Sequence, residues 1–140
     1  MMRYKVLLFI TGIVLLSCGK ADNRWFPYAS INLQIPINDP RIQGIKTPGN
    51  GIEIGGGVGG IILYRKLSGN RVVAYDKRSP ASLDKGCDVR IQEPSIIAID
   101  PCANVTFSLE NDGTVIKGNY ARPLQQYSVS EGNGLIMIYN

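Results

Sequence analysis

Along most of the chain the apolar residues recur at every second position rather than every third or fourth. Ile31, Leu33, Ile35 and Ile37 alternate with Asn32, Gln34, Pro36 and Asn38. Val105, Phe107 and Leu109 alternate with Thr106 and Ser108, and Tyr127 and Val129 with Ser128 and Ser130. A strand turns successive side chains to opposite faces, so this period predicts strands buried on one side. Continuous apolar runs at 60–64, 72–75, 95–99 and 135–139 predict more deeply buried strands. Turn-forming residues part the runs: Ser68-Gly69-Asn70, Asn111-Asp112-Gly113 and Gly132-Asn133-Gly134. Only 39–46, closed by Pro48, is open to a helical turn. About ten short antiparallel strands and no long helix predict an all-β sandwich or barrel.

The N-terminus follows a different pattern. Met1, Met2, Arg3, Tyr4 and Lys5 form a short basic start, and Val6 to Leu16 an apolar run broken only by Thr11 and Gly12. This is the layout of a secretory signal peptide, too short to span a bilayer core. Its end, Leu15-Leu16-Ser17-Cys18, resembles the bacterial lipobox, where the cysteine receives diacylglycerol and cleavage falls before it. The reading is therefore a signal peptide over 1–17, a lipidated Cys18 with a tether over 18–28, and a β domain over 29–140. Gly19 rather than aspartate follows Cys18, which favours the outer over the inner membrane. Trp25, Phe26 and Tyr28 in the tether could lie on the domain or at the membrane interface.

Charge adds little beyond this. The chain has 140 residues and a formal net charge of +4, with 15 basic and 11 acidic side chains. Arg3 and Lys5 leave with the signal, so the 123 residues that remain of 140 after removal of 1–17 carry 13 basic groups against 11 acidic. No cluster of four or more Lys/Arg appears, which gives no nucleic-acid footprint. Histidine is absent from the whole chain. That excludes Ser-His-Asp and Cys-His catalytic sets and histidine zinc sites. Gly55, Gly57 and Gly60 match a GxGxxG pattern, but Ile61-Ile62-Leu63-Tyr64 after them reads as strand, not as the helix a dinucleotide site requires. Asp76, Asp84, Asp88 and Asp100 read as solvated loop carboxylates. The sequon Asn104-Val105-Thr106 is inert in a bacterium.

A longer order of segments is more informative. Val72-Val73-Ala74-Tyr75-Asp76 runs into Ser79-Pro80-Ala81, and 96–99 into Asp100-Pro101-Cys102-Ala103-Asn104-Val105-Thr106-Phe107. Asn111-Asp112-Gly113 follows, then Gly118-Asn119-Tyr120-Ala121-Arg122-Pro123-Leu124, and Gly134-Leu135-Ile136-Met137-Ile138 closes the series. In order and spacing the stretch from Val72 to Ile138 resembles a Rieske domain, the β-sandwich that holds a 2Fe–2S cluster between two loops. The resemblance covers about half of the chain.

It fails at the ligands. A Rieske centre takes two thiolates on one iron and two imidazoles on the other. By the resemblance, the first-loop Cys and His fall on Ser79 and Ala81, and the second-loop pair on Asp100 and Ala103. The family implies a cluster, whereas these residues lead to the expectation of no cofactor and no metal ligand. Some Rieske domains also carry one extra cysteine per loop, joined in a disulfide. Cys102 stands where the second of these is found and Cys87 lies late in the first loop, so the resemblance implies a Cys87–Cys102 bond, with two buried free thiols as the other reading.

The expected function is a lipid-anchored protein of the bacterial cell envelope. It would be held to a membrane through Cys18, with a cluster-free Rieske-like domain as a non-catalytic structural or binding module for an unknown envelope protein or ligand. The alternative is a 2Fe–2S or redox protein with atypical ligands, drawing on Cys87, Cys102 and oxygen donors. An enzyme working through scattered carboxylates has no motif behind it.

Overall fold

The computed structural model describes residues 24–140, so the signal and Cys18 lie outside the described residues. The ten strands are β1 Asn32–Pro36, β2 Gly51–Ile54, β3 Ile61–Arg65, β4 Val72–Asp76, β5 Arg90–Gln92, β6 Ile97–Asp100, β7 Val105–Ser108, β8 Thr114–Lys117, β9 Gln126–Gly132 and β10 Leu135–Tyr139. They form a six-stranded sheet in the order β1-β10-β9-β4-β3-β2 and a four-stranded sheet in the order β5-β6-β7-β8, with every pairing antiparallel.

The period-two pattern appears as alternating burial in β1 but not in β7, where Thr106 and Ser108 are buried along with Val105 and Phe107. In β1, Ile35 is buried and Asn32, Gln34 and Pro36 are exposed. Two of the four continuous runs, at β3 and β4, are explained by two separate cores, whereas in β6 and β10 burial alternates and Ile97, Ile99, Leu135 and Met137 are only partly buried. Every residue of β3 and β4 is buried, and alternation within each strand sends neighbours to opposite cores. Ile61, Leu63, Val72 and Ala74 join Ile31, Ile35, Ile42, Ile45, Ile136 and Ile138 on one face. On the other, Ile62, Tyr64, Val73 and Tyr75 meet Val89, Ala98, Val105, Phe107 and Leu109 from the four-stranded sheet. Each fully buried side chain of this size contributes about 1.5–3 kcal/mol of transfer free energy.

Turn chemistry follows the sequence closely. Asn133 (φ 51°) and Gly134 (φ 72°) link β9 to β10, the left-handed pair that a two-residue hairpin requires. The expected helical turn is a 3-10 helix, Pro40–Lys46, capped by the Asp39 side chain accepting from the Arg41 N–H at 2.8 Å. A second 3-10 helix, Pro80–Lys85, corrects the expectation of only one. Ser79 caps it by accepting from the Ala81 N–H, and Gly86 ends it at φ 64°.

The segment before β1 also belongs to the domain. Phe26 is buried, and its ring meets Trp25 edge-on at 5.5 Å. Asn140 clasps the segment: its Oδ1 accepts from the Ile31 N–H at 3.1 Å and its Nδ2 donates to the Ala29 carbonyl at 2.6 Å.

Candidate functional site

Two loops lie side by side at one end of the sandwich, after β4 and after β6. The strands that lead into them both end in aspartate, Asp76 and Asp100, and both carboxylates are fully buried. This corrects the reading of them as solvated loop groups. Asp88 is half-buried and ion-paired to Arg78 at 2.7 Å, and Asp84 is exposed.

Asp100 joins the loops through hydrogen bonds. Its Oδ2 accepts from the hydroxyls of Ser79 and Ser82, the latter at 2.6 Å. Its Oδ1 accepts from the N–H groups of Cys102 at 2.7 Å and Ala103 at 3.1 Å. Burial pushes the carboxyl pKa up, but the bonds from Ser79, Ser82 and the Ala103 and Cys102 amides outweigh it and hold the pKa below the usual carboxylate range. Ser79 and Ser82 are themselves buried, and both are held in place by the second 3-10 helix.

Asp76 closes the neighbouring bend in the same manner. Its Oδ1 accepts from the Gly59 N–H at 3.0 Å and the Arg78 N–H at 2.7 Å. Its Oδ2 accepts from the Val58 N–H at 2.6 Å and the Tyr127 hydroxyl at 2.5 Å. Burial and the bond to Asp76 raise the Tyr127 phenol well above its usual pKa. The glycine pattern therefore serves an internal purpose. It is a bend between β2 and β3, with Gly57 at φ 63°, where a Cβ would collide with the Asp76 carboxylate. The carboxyl group these amides wrap belongs to the chain itself.

The structure brings together Ser79, Asp100 and the two cysteines, and places Ala81 and Ala103 beside them. Both alanines pack against the core between the sheets. Cys87 and Cys102 are disulfide-bonded, with Cα atoms 6.4 Å apart, within the ordinary span of such a bridge. The loop it closes has a sequence separation of 15, worth about 3 kcal/mol in the chain-entropy model. Cys87→Ser/Cys102→Ser is expected to lower unfolding free energy by about that amount in urea titration. Thiol labelling of denatured, non-reduced protein should find neither sulfur reactive.

The donor set does not fit a Rieske cluster. Such a centre needs free thiolates and imidazoles at these positions. Here the oxygens of Ser79 and Asp100 already bond each other, two methyl groups face the core, and both loop sulfurs are in a disulfide. Among the described residues no group of three or more His, Cys, Asp or Glu could hold a metal ion.

Comparison with known proteins separates fold from family. No family model matches the chain, and no curated protein does. Among solved structures, the cyanobacterial plasma membrane Rieske protein PetC3 from Synechocystis PCC 6803 matches 77% of this chain and 99% of its own, at a TM-score of 0.56 and 17% identity. The chain has a Rieske-type fold. A fluorene-bound oxygenase and ferredoxin complex of carbazole 1,9a-dioxygenase matches 79% of the chain at a TM-score of 0.51 and 16% identity, over 30% of its own chain. At these identities the Rieske-type likeness concerns architecture: two antiparallel sheets and a pair of loops at one end.

Sequence reasoning missed Ser82 and the burial of both aspartates. The signal was present. Val72-Val73-Ala74-Tyr75-Asp76 and Ile97-Ala98-Ile99-Asp100 each end an apolar strand in an aspartate that accepts from the N–H two residues on, an Asx turn.

Proposed function

We propose that this chain is a lipid-anchored protein of a bacterial envelope, of the outer rather than the inner membrane, whose cluster-free Rieske-type domain serves as a non-catalytic structural or binding module. The observation that carries the reading is the Asp100 carboxylate, whose two oxygens are spent on Ser79, Ser82 and two backbone amides. The loop tip is thus closed by hydrogen bonds, by the Cys87–Cys102 bridge and by the packing of Ala81 and Ala103, so that none of the four ligand-equivalent positions offers iron a free donor. The lipobox-like end of the apolar N-terminal run supports the anchor on Cys18.

Two measurements on the full chain test the two halves of the reading. Produced in a bacterium with iron and sulfide in supply and purified without oxygen, the protein should be colourless and free of iron. A brown protein with about two irons per chain, as a Rieske centre holds, would overturn the cluster-free reading. Growth with labelled palmitate should mark the protein, and Cys18→Ser should abolish the label. A label that survives Cys18→Ser, or that never forms, would overturn the anchor.

A further inference from the structure

The N-terminal segment of the domain turns part of its apolar surface outward. Trp25 is 36% exposed and Tyr28 63%, although Phe26 between them is buried. A guanidinium stands over each exposed ring: that of Arg122 lies 5.2 Å from the Trp25 centroid, and that of Arg24 5.2 Å from the Tyr28 centroid. Leu83 of the second 3-10 helix borders one cleft beside this segment, and Gln125, Tyr127 and Asn140 border another. No Asp or Glu is among the described residues that line either cleft. The interior tyrosines are placed otherwise, with the hydroxyls of Tyr64, Tyr75 and Tyr127 bonded to Glu110, the Leu109 carbonyl and Asp76.

We propose that this patch docks on the surface of the bilayer that holds the lipid, with anionic phospholipid headgroups as its ligand. The proposal rests on the lipid anchor at Cys18. Arg24 is only six residues after Cys18, so even a fully extended chain holds the patch within roughly 20 Å of the attachment point. Tryptophan and tyrosine, with an apolar body and a polar tip, settle at the headgroup level of membranes. Arginine lays its stem along apolar surface and keeps its charge in the polar layer. A guanidinium held on the ring face places charge and ring at the same depth, which matches an anionic headgroup layer over the start of the acyl chains. With this patch down, Leu83 and its turn face the bilayer, and the domain lies against the membrane instead of standing off on a tether.

Trp25 is the only tryptophan in the chain, so its emission reports on the patch alone. The lipid-modified full chain is reconstituted into vesicles of phosphatidylcholine, with or without phosphatidylglycerol, carrying brominated acyl chains. In the anionic vesicles Trp25 emission should shift to the blue and be quenched by bromine. Arg122→Gln, at an exposed position, should lower the ratio of quenched to unquenched protein about fivefold. Tyr28→Ser, also exposed, should act in the same direction. Labelled, vesicle-bound protein whose Trp25 emission stays water-like would overturn the patch and leave the anchor standing. Equal quenching in neutral and anionic vesicles would overturn the headgroup assignment. Protein that carries no lipid and does not float with vesicles would overturn the anchor and the docking together.

Discussion

Asp100→Ala is expected to lower the free energy of unfolding by about 4 kcal/mol, read from urea titration of the purified protein. The change removes the acceptor for two buried hydroxyls and two amides at once. Asp100→Asn should cost much less, about 1.5 kcal/mol, because of how the donors are shared. Oδ1 takes only backbone N–H groups, which Asn can still satisfy with its own oxygen. Oδ2 takes only hydroxyls, which can rotate and accept from an amide NH2. The charge should also appear in the pH dependence. The folded-state pKa of Asp100 is lowered, so its contribution is complete above the unfolded value of about 3.9 and is lost as pH falls through the lower folded value. Asp100→Asn should remove that part of the acid slope. An unchanged slope, or an Asn variant as unstable as the Ala variant, would contradict this account.

Asp76 should respond differently to the same pair of changes. Asp76→Ala is expected to cost about 4 kcal/mol, since Val58, Gly59, Arg78 and Tyr127 all lose an acceptor. Here Asn offers little relief. Each carboxylate oxygen faces at least one backbone N–H, which cannot reverse its role, so an NH2 group in either position meets a donor. Asp76→Asn should therefore cost about 3 kcal/mol, nearly as much as alanine. Thermal melts of the four variants form the comparison: a wide gap between Asn and Ala at 100, a narrow one at 76. The reverse order would mean that the donors around the two carboxylates have been assigned wrongly.

The sheets were legible in the sequence because a strand exposes its period directly. The alternation from Ile31 to Asn38 appears in the structure as alternating burial, and the unbroken runs at β3 and β4 appear as strands covered on both faces. The order of strands and loops, carried by the resemblance, corresponds to the Rieske-type architecture found by structural comparison. The Cys87–Cys102 pairing came from that resemblance and is present. Periodicity alone could not have supplied it, since it brings together loops from different strands. Burial of Asp76 and Asp100 was not legible from composition, because a carboxylate is buried only when distant donors converge on it. Of the eight donors, Ser79, Ser82, Val58, Gly59 and Tyr127 lie 17 to 51 residues away along the chain. The second 3-10 helix does have a signature in the sequence: Ser79-Pro80 is a capping residue followed by proline, and Gly86 is a stop.

The Asn140 clasp gives the domain a mechanical order of events. β1 is an edge strand paired only with β10, from Asn32 opposite Tyr139 to Pro36 opposite Leu135. Tension applied through Arg24 and Trp25 reaches the buried Phe26 and then the clasp at Ala29 and Ile31 before it loads any strand pair. While both hold, the force is shared with β10 instead of unzipping β1 one pair at a time. Under a pull from that end, two side chains outside the strands take the load before β1 does.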